Sequence, residues 1–222
     1  MKHILLTLSF LFTASAQAAN TIDTNKFWSE ARIFVTSNTP ANSPDAFNAL
    51  TSADSVQSLS SITGFGIEGN FNVARFMKAG IRGGGMWTKK ESTVSTNTNS
   101  YLAIQQGWGG AILRFPLVRS DLLQFDVFGE AGLGVTHIDV STQSSGSGEF
   151  TKSYTPYERA GASVGVGWNP FYVFVEGGYQ WEKLDALSYA GTLATQISSI
   201  DLSGTYLGVG IIITGVPGFL AK

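Results

Sequence analysis

Ten charged residues recur at alternate positions inside otherwise apolar or glycine-rich stretches: Glu30, Arg32, Glu68, Lys78, Arg82, Arg114, Asp126, Glu130, Arg159 and Glu176. Five are acidic and five are basic. A balanced set on one parity is the chemistry of ion pairing in a narrow interior, where a single unpaired charge would be costly to bury. Arg82, Glu130 and Arg159 lie well inside their segments and are expected at the centre of such a network. His137 invites a second kind of chemistry, because a histidine titrates near neutrality and serves as an acid or base. The residue two positions on is Asp139 rather than a nucleophile, and Ser141 follows after two more. A histidine and a carboxylate without a positioned nucleophile do not make a triad, so no catalytic residue is expected. No metal-ligand spacing or nucleotide signature is present, and no cofactor is expected. The glycine cluster at 80–85 lies within a strand pattern, where the loop-to-helix geometry that cradles phosphate is missing.

The elements that position these charges are strands. Residues 122–139, LLQFDVFGEAGLGVTHID, show the pattern most clearly. Leu123, Phe125, Val127, Ala131, Leu133 and Val135 alternate with Gln124, Asp126, Glu130 and Thr136, a two-residue period with one apolar face and one polar, glycine-rich face. The run is longer than the five or six residues usual in soluble strands and meets the roughly ten needed to cross a bilayer on a tilt. Similar segments are expected at 27–36, 60–70, 76–88, 100–115, 154–168, 171–182 and 197–213. A parity slip near 107–110 suggests a bulge there. Short links near 72, 118 and 169 alternate with longer ones near 48, 94, 146 and 190, the last three of these occupying 89–99, 141–148 and 184–195. Short turns on one side and long loops on the other predict an all-β, eight-stranded antiparallel up-and-down transmembrane β-barrel.

Export is expected from the N-terminus. Lys2 and His3 precede an apolar run over 4–12, and Ala16-Gln17-Ala18 offers small residues for signal cleavage. A signal peptide over 1–18 leaves 19–222 as a single barrel domain. The chain has no cysteine, hence no disulfide and no lipid-attachment thiol. Only 14% of residues are charged, against about 25% in an average soluble protein. With no helix-length apolar window beyond the signal, that deficit fits strands whose alternation dilutes hydropathy. A formal net charge of −2 gives no reason to expect a nucleic-acid partner.

Alternation does not by itself say which face points inward. In a soluble eight-stranded binder the apolar face would line the cavity; in a membrane barrel it meets lipid. Three features favour lipid. Glycine crowds the polar face, charges of both signs sit there, and the apolar face ends in aromatics, with Trp87 and Trp181 toward the loops and Phe71, Phe115, Phe125 and Trp168 toward the turns, as interfacial girdles require. On signal, strand count and alternation the chain resembles the small outer-membrane barrels typified by the OmpA membrane domain, OmpX and OmpW-like proteins. Gly208-Val209-Gly210-Ile211-Ile212-Ile213 is similar to the closing-strand signal of that family, although the chain runs on to Lys222 and leaves only Phe219 as a terminal aromatic. The resemblance implies an outer-membrane location, contact with outer-membrane lipids, handling by the barrel assembly machinery and a surface partner reached through the loops. The expected role is non-enzymatic: a charge-plugged barrel serving envelope integrity or surface interaction. A narrow channel for small or apolar solutes is the alternative, and a lipid A-modifying hydrolase a more distant one.

Overall fold

Period-two segments of this length can satisfy their backbone groups in a bilayer only by closing on themselves, and the chain does so. The computed structural model describes residues 29–41, 51–52, 54–74, 76–93, 99–144, 146–193 and 197–216. The expected signal peptide, the lead to residue 28 and Phe219 lie outside them. The strands are β1 (Ser29–Pro40), β2 (Ile62–Ala74), β3 (Met77–Glu91), β4 (Tyr101–Arg119), β5 (Leu123–Thr142), β6 (Gly146–Trp168), β7 (Phe171–Asp185), β8 (Ser188–Gly191), β9 (Ser199–Asp201) and β10 (Gly204–Val216). Eight of them form the ring: β1 to β7 pair in sequence, β7 pairs β10, and β10 closes on β1, all antiparallel. The short β8 and β9 lie on the loop side, edging β6 and β7.

Following one ladder round the ring fixes the stagger. From Trp181 it passes Glu158, Ala131, Ala111, Ile81, Gly69, Ala31 and Ile213, and returns to β7 at Phe171, ten residues down the same strand. Eight strands at such a stagger enclose a space that side chains just fill. Inside it, glycines stand opposite rings. A Cβ on Gly66 would run into the Phe34 ring, and one on Gly161 would lie 2.9 Å from Phe128 Cζ.

The outer wall is apolar. Ile33, Ile67, Ile81, Val166, Val173 and Ile211 are each about half exposed or more, and Phe125 and Val127 also face outward. The ionic residues point the other way and are buried. This distribution is that of a barrel set in lipid, and it removes the soluble-cavity alternative.

Several boundaries differ from those the sequence suggests. The register of β4 is unbroken from Tyr101 to Pro116 against its neighbours, so no bulge lies at 107–110. The apparent slip arises because Leu102, Ile104 and Trp108 are apolar yet face inward. Hydropathy changes sides there while the backbone does not. The real irregularities among the described residues fall at Ser29/Glu30, Asn72/Ala74, Pro116/Val118 and Gly134/Thr136. At the last, Ser153 and Tyr154 stand against Val135 alone, and Tyr154 takes φ 59°, the left-handed conformation that bulges use. Beyond this bulge β5 and β6 continue as a hairpin, β5 as far as Thr142 and β6 from Gly146, so most of the expected loop at 141–148 is strand. The last long strand begins at Gly204 rather than 197, and the loop before it contains β8 and β9.

Candidate functional site

The candidate site is the lumen. Because β-strand side chains alternate, each inward residue of one strand meets those of its neighbours at nearly the same level. The register pairs Arg32 with Glu68, Glu68 with Arg82, and Glu130 with Arg159. All ten charged residues expected there are buried on the inner face.

The turn-side tier is built on Glu30. Its Oε2 accepts from Lys78 Nζ at 2.5 Å and its Oε1 from Arg32 Nε at 2.6 Å, while Arg32 NH2 donates to Asp126 Oδ2 at 2.6 Å. Arg119, partly exposed at the turn-side rim, approaches Glu30 to 3.7 Å. In the middle tier Arg114 grips Glu68 with both arms, Nε to Oε1 at 2.5 Å and NH2 to Oε2 at 2.7 Å, and reaches Glu176 Oε2 at 3.0 Å. Such forked pairing fixes direction as well as charge. Arg82 hydrogen-bonds Glu176 and lies 3.5 Å from Glu130. The upper tier continues through Arg159, 3.5 Å from Glu130, whose Nε donates to Gln180 Oε1 at 2.7 Å. Gln180 and Gln106 both donate to Glu182. Arg82 and Arg159 thus both approach Glu130, and the pairs join into a single network from turn side to loop side.

Aromatic faces cover the guanidiniums where carboxylates do not. Arg82 Cζ sits 4.1 Å from the Phe34 ring centre, Arg159 Cζ 4.2 Å from Trp108, Arg114 Cζ 4.7 Å from Phe128 and Arg32 Cζ 5.1 Å from Phe174. A desolvated contact of this kind contributes roughly 2 kcal/mol.

Two parts of the interior escaped the sequence reading. Glu182, Gln106 and Gln180 extend the network, although Glu182 lies on the same parity as Glu176 and could have been read from it. Above them the inner face turns apolar. Ile62, Met86, Leu102, Ile104, Ile138, Val140, Phe150, Leu184, Ile200 and Leu202 are buried in one cluster. An apolar inner face cannot be told from an apolar outer face by periodicity alone, which is why this cap was not foreseen.

Asp54 is the other unanticipated centre. It lies in the loop after β1, accepts from Ser100 Oγ at 2.7 Å and from the Ser144 amide at 3.3 Å, and also takes the Gln143 amide. One carboxylate thereby ties together three loop-side connections. These donors hold its carboxyl below the usual aspartate range, the Ser100 hydroxyl contributing most. A depressed value means that the clamp is fully present above the unfolded aspartate pKa, near 4, and is lost as pH falls through the folded value. Asp54→Ala should therefore lower the protection of the Gln143 and Ser144 amides against exchange, and acidification of the wild type should reproduce that loss of protection, measured relative to the intrinsic exchange rate at each pH, only below about pH 4. A hydrogen bond to a charged group contributes about 1.5 kcal/mol or more, so exchange should rise roughly tenfold. Unchanged exchange in Asp54→Ala would remove the clamp.

The six aromatics expected in girdles all project outward. Phe71, Trp87, Trp168 and Trp181 are about half exposed or more, and Phe115 and Phe125 are half-buried. Trp168 adjoins the turn to β7, and Trp87 stacks edge-on against Phe65 with ring centres 6.1 Å apart. His137 also faces outward, just beyond Val135 at the loop-side end of the apolar band, with Nε2 3.0 Å from Asp139 Oδ1. Among the described residues no hydroxyl hydrogen-bonds to it.

No protein family and no curated protein matches the sequence. Solved structures do. Outer membrane protein OprG from Pseudomonas aeruginosa superposes with a TM-score of 0.52 at 12% identity, covering 86% of this chain and 97% of that one. AlkL, solved in DMPC bilayers, gives 0.49 at 12% identity over 91% and 97%. Ail of Yersinia pestis gives 0.44 at 13% identity over 85% and 99%. The likeness to OprG concerns fold alone, and it agrees with the closed ring and apolar wall described above. The chain has the fold of a small eight-stranded outer-membrane β-barrel.

Proposed function

We propose that the protein is a non-enzymatic, closed outer-membrane barrel that stiffens the envelope and holds a structured loop-side surface away from it. The observation that carries this reading is the continuous lumenal network of ten charged side chains, none more than 4% exposed, with an apolar cap above. Ions entering from either end would have to part salt bridges in a space without bulk water, where breaking one pair leaves an uncompensated charge. The projecting β5–β6 hairpin and the Asp54 clamp support the second half of the reading, because they fix loops that a purely space-filling barrel would leave untied.

Planar-bilayer recording tests it. Purified protein should give no discrete conductance steps, and Arg82→Ala combined with Arg114→Ala should open small ones by vacating the centre of the network. Steady conductance in the wild type would instead establish the narrow-channel alternative. Hydrolysis has no support from the geometry at His137, whose contact is a carboxylate.

A further inference from the structure

We infer that His137, Asp139 and Glu149 form a divalent-metal site on the outer wall of the barrel, just beyond the apolar band, suited to a zinc-like ion. One ligand atom from each of the three lies within 4.8 Å of the others. Two of them are set by adjacent inward-outward alternation on β5, and the third comes from the neighbouring strand, where Asp139 stands directly opposite Glu149.

That opposition is the unusual feature. Like charges facing each other across an antiparallel ladder are destabilising. Among the described residues, the ion pair at this place is the one between His137 and Asp139, while Glu149 has no ion pair. A histidine beside two carboxylates supplies one nitrogen and two oxygens, a donor set that zinc accepts at about 2.0–2.2 Å with a position left for water. Nitrogen ligation favours such an ion over calcium or magnesium, which take oxygen donors. Access is open. His137 also lines a surface groove of about 670 Å³ with Trp87, Gln105 and Gly107, and Glu149 is exposed. A bound ion would bridge β5 to β6 immediately above the bulge at Ser153 and Tyr154, where the ladder is otherwise interrupted.

The sequence makes the test clean, since His3 is the only other histidine and there is no cysteine. Untagged protein purified from outer membranes in detergent is titrated with Zn²⁺ by calorimetry, and the imidazole of His137 is followed by NMR. One Zn²⁺ per chain should bind saturably, with the His137 ring signals moving in step. Losing a residue that merely supports a ligand typically weakens metal binding about 10- to 100-fold, so His137→Ala should weaken it at least tenfold. Asp139→Asn and Glu149→Gln should weaken it too, while Asp185→Asn, an exposed carboxylate elsewhere, should not. All three ligands are solvent-facing, so a heat-modifiability gel should show every variant folded. Absence of saturable binding, wild-type affinity in His137→Ala, an unmoved imidazole signal, or equal affinity for Mg²⁺ would each overturn the site.

Discussion

Arg114→Met should lower the stability of the detergent-folded barrel by about 3–5 kcal/mol, the usual result of removing one partner from a buried ion pair. Arg114 holds Glu68 with two bonds and Glu176 with a third, and its side chain is fully buried. Methionine keeps much of the volume and the contact with Phe128 but leaves two carboxylates short of a cation. Arg82 and Arg32 lie 3.7 and 3.8 Å from Glu68 and compensate in part, which sets the lower end of the range. The double variant Arg114→Met with Glu68→Gln should recover part of the loss, because neutralising the stranded carboxylate removes the larger penalty. Urea unfolding followed by the shift in gel mobility reads both. Equal stability of Arg114→Met and wild type would mean that the lumen is hydrated well enough to screen its charges, and the closed-barrel reading would go with it.

Val175→Arg should cost about 2–4 kcal/mol, and the same change at Trp168 no more than about 1. Val175 is half exposed and lies in a row of β-branched neighbours, Val164 on one side and Val209 on the other, roughly midway between the turn end of β7 at Phe171 and Trp181. A guanidinium there must shed water or drag it into hydrocarbon. At Trp168, beside the turn, it reaches the headgroups by extending its stem. Refolding titrations into lipid vesicles measure the difference. If the two positions respond equally, that wall does not face lipid, whatever its composition.

The ionic network was legible in large part because strand parity couples sequence to side. Once Glu30, Arg32, Glu68 and the rest share the polar parity of long strands, closure of the sheet brings them onto one axis, and a lumen this narrow leaves them little choice of partner. Which carboxylate each arginine takes was not legible, since it depends on register. Arg32, for example, turns from its cross-strand neighbour Glu68 toward Glu30 and Asp126. The loop-side cap was hidden for a different reason. Leu102, Ile104, Ile138 and Val140 obey the same alternation as the charged tiers with the opposite hydropathy, so the signal that locates the lumen in the membrane misplaces it beyond. The apparent parity slip at 107–110 is the visible symptom.

The two chemistries around His137 and Asp54 separate along the same line. His137 and Asp139 are two apart on one strand, and the sequence alone puts them on one face. Glu149 joins them only because the hairpin register sets it opposite Asp139. Asp54 belongs to a connection without periodicity. Its partners Ser100, Gln143 and Ser144 come from two other connections, so nothing local marks it.

By itself the sequence determined strand composition and the antiparallel eight-strand ring, because period-two hydropathy and the alternation of short and long links are local properties that a bilayer leaves only one way to satisfy. It also marked the wall that meets lipid, because glycine and charges of both signs share the opposite face. Only the tertiary structure decided the ten-residue stagger, the pairing of each buried ion, the apolar cap and the convergence of loops on Asp54. Each of these depends on the relative register of strands distant in sequence, and register is settled by packing across the closed ring.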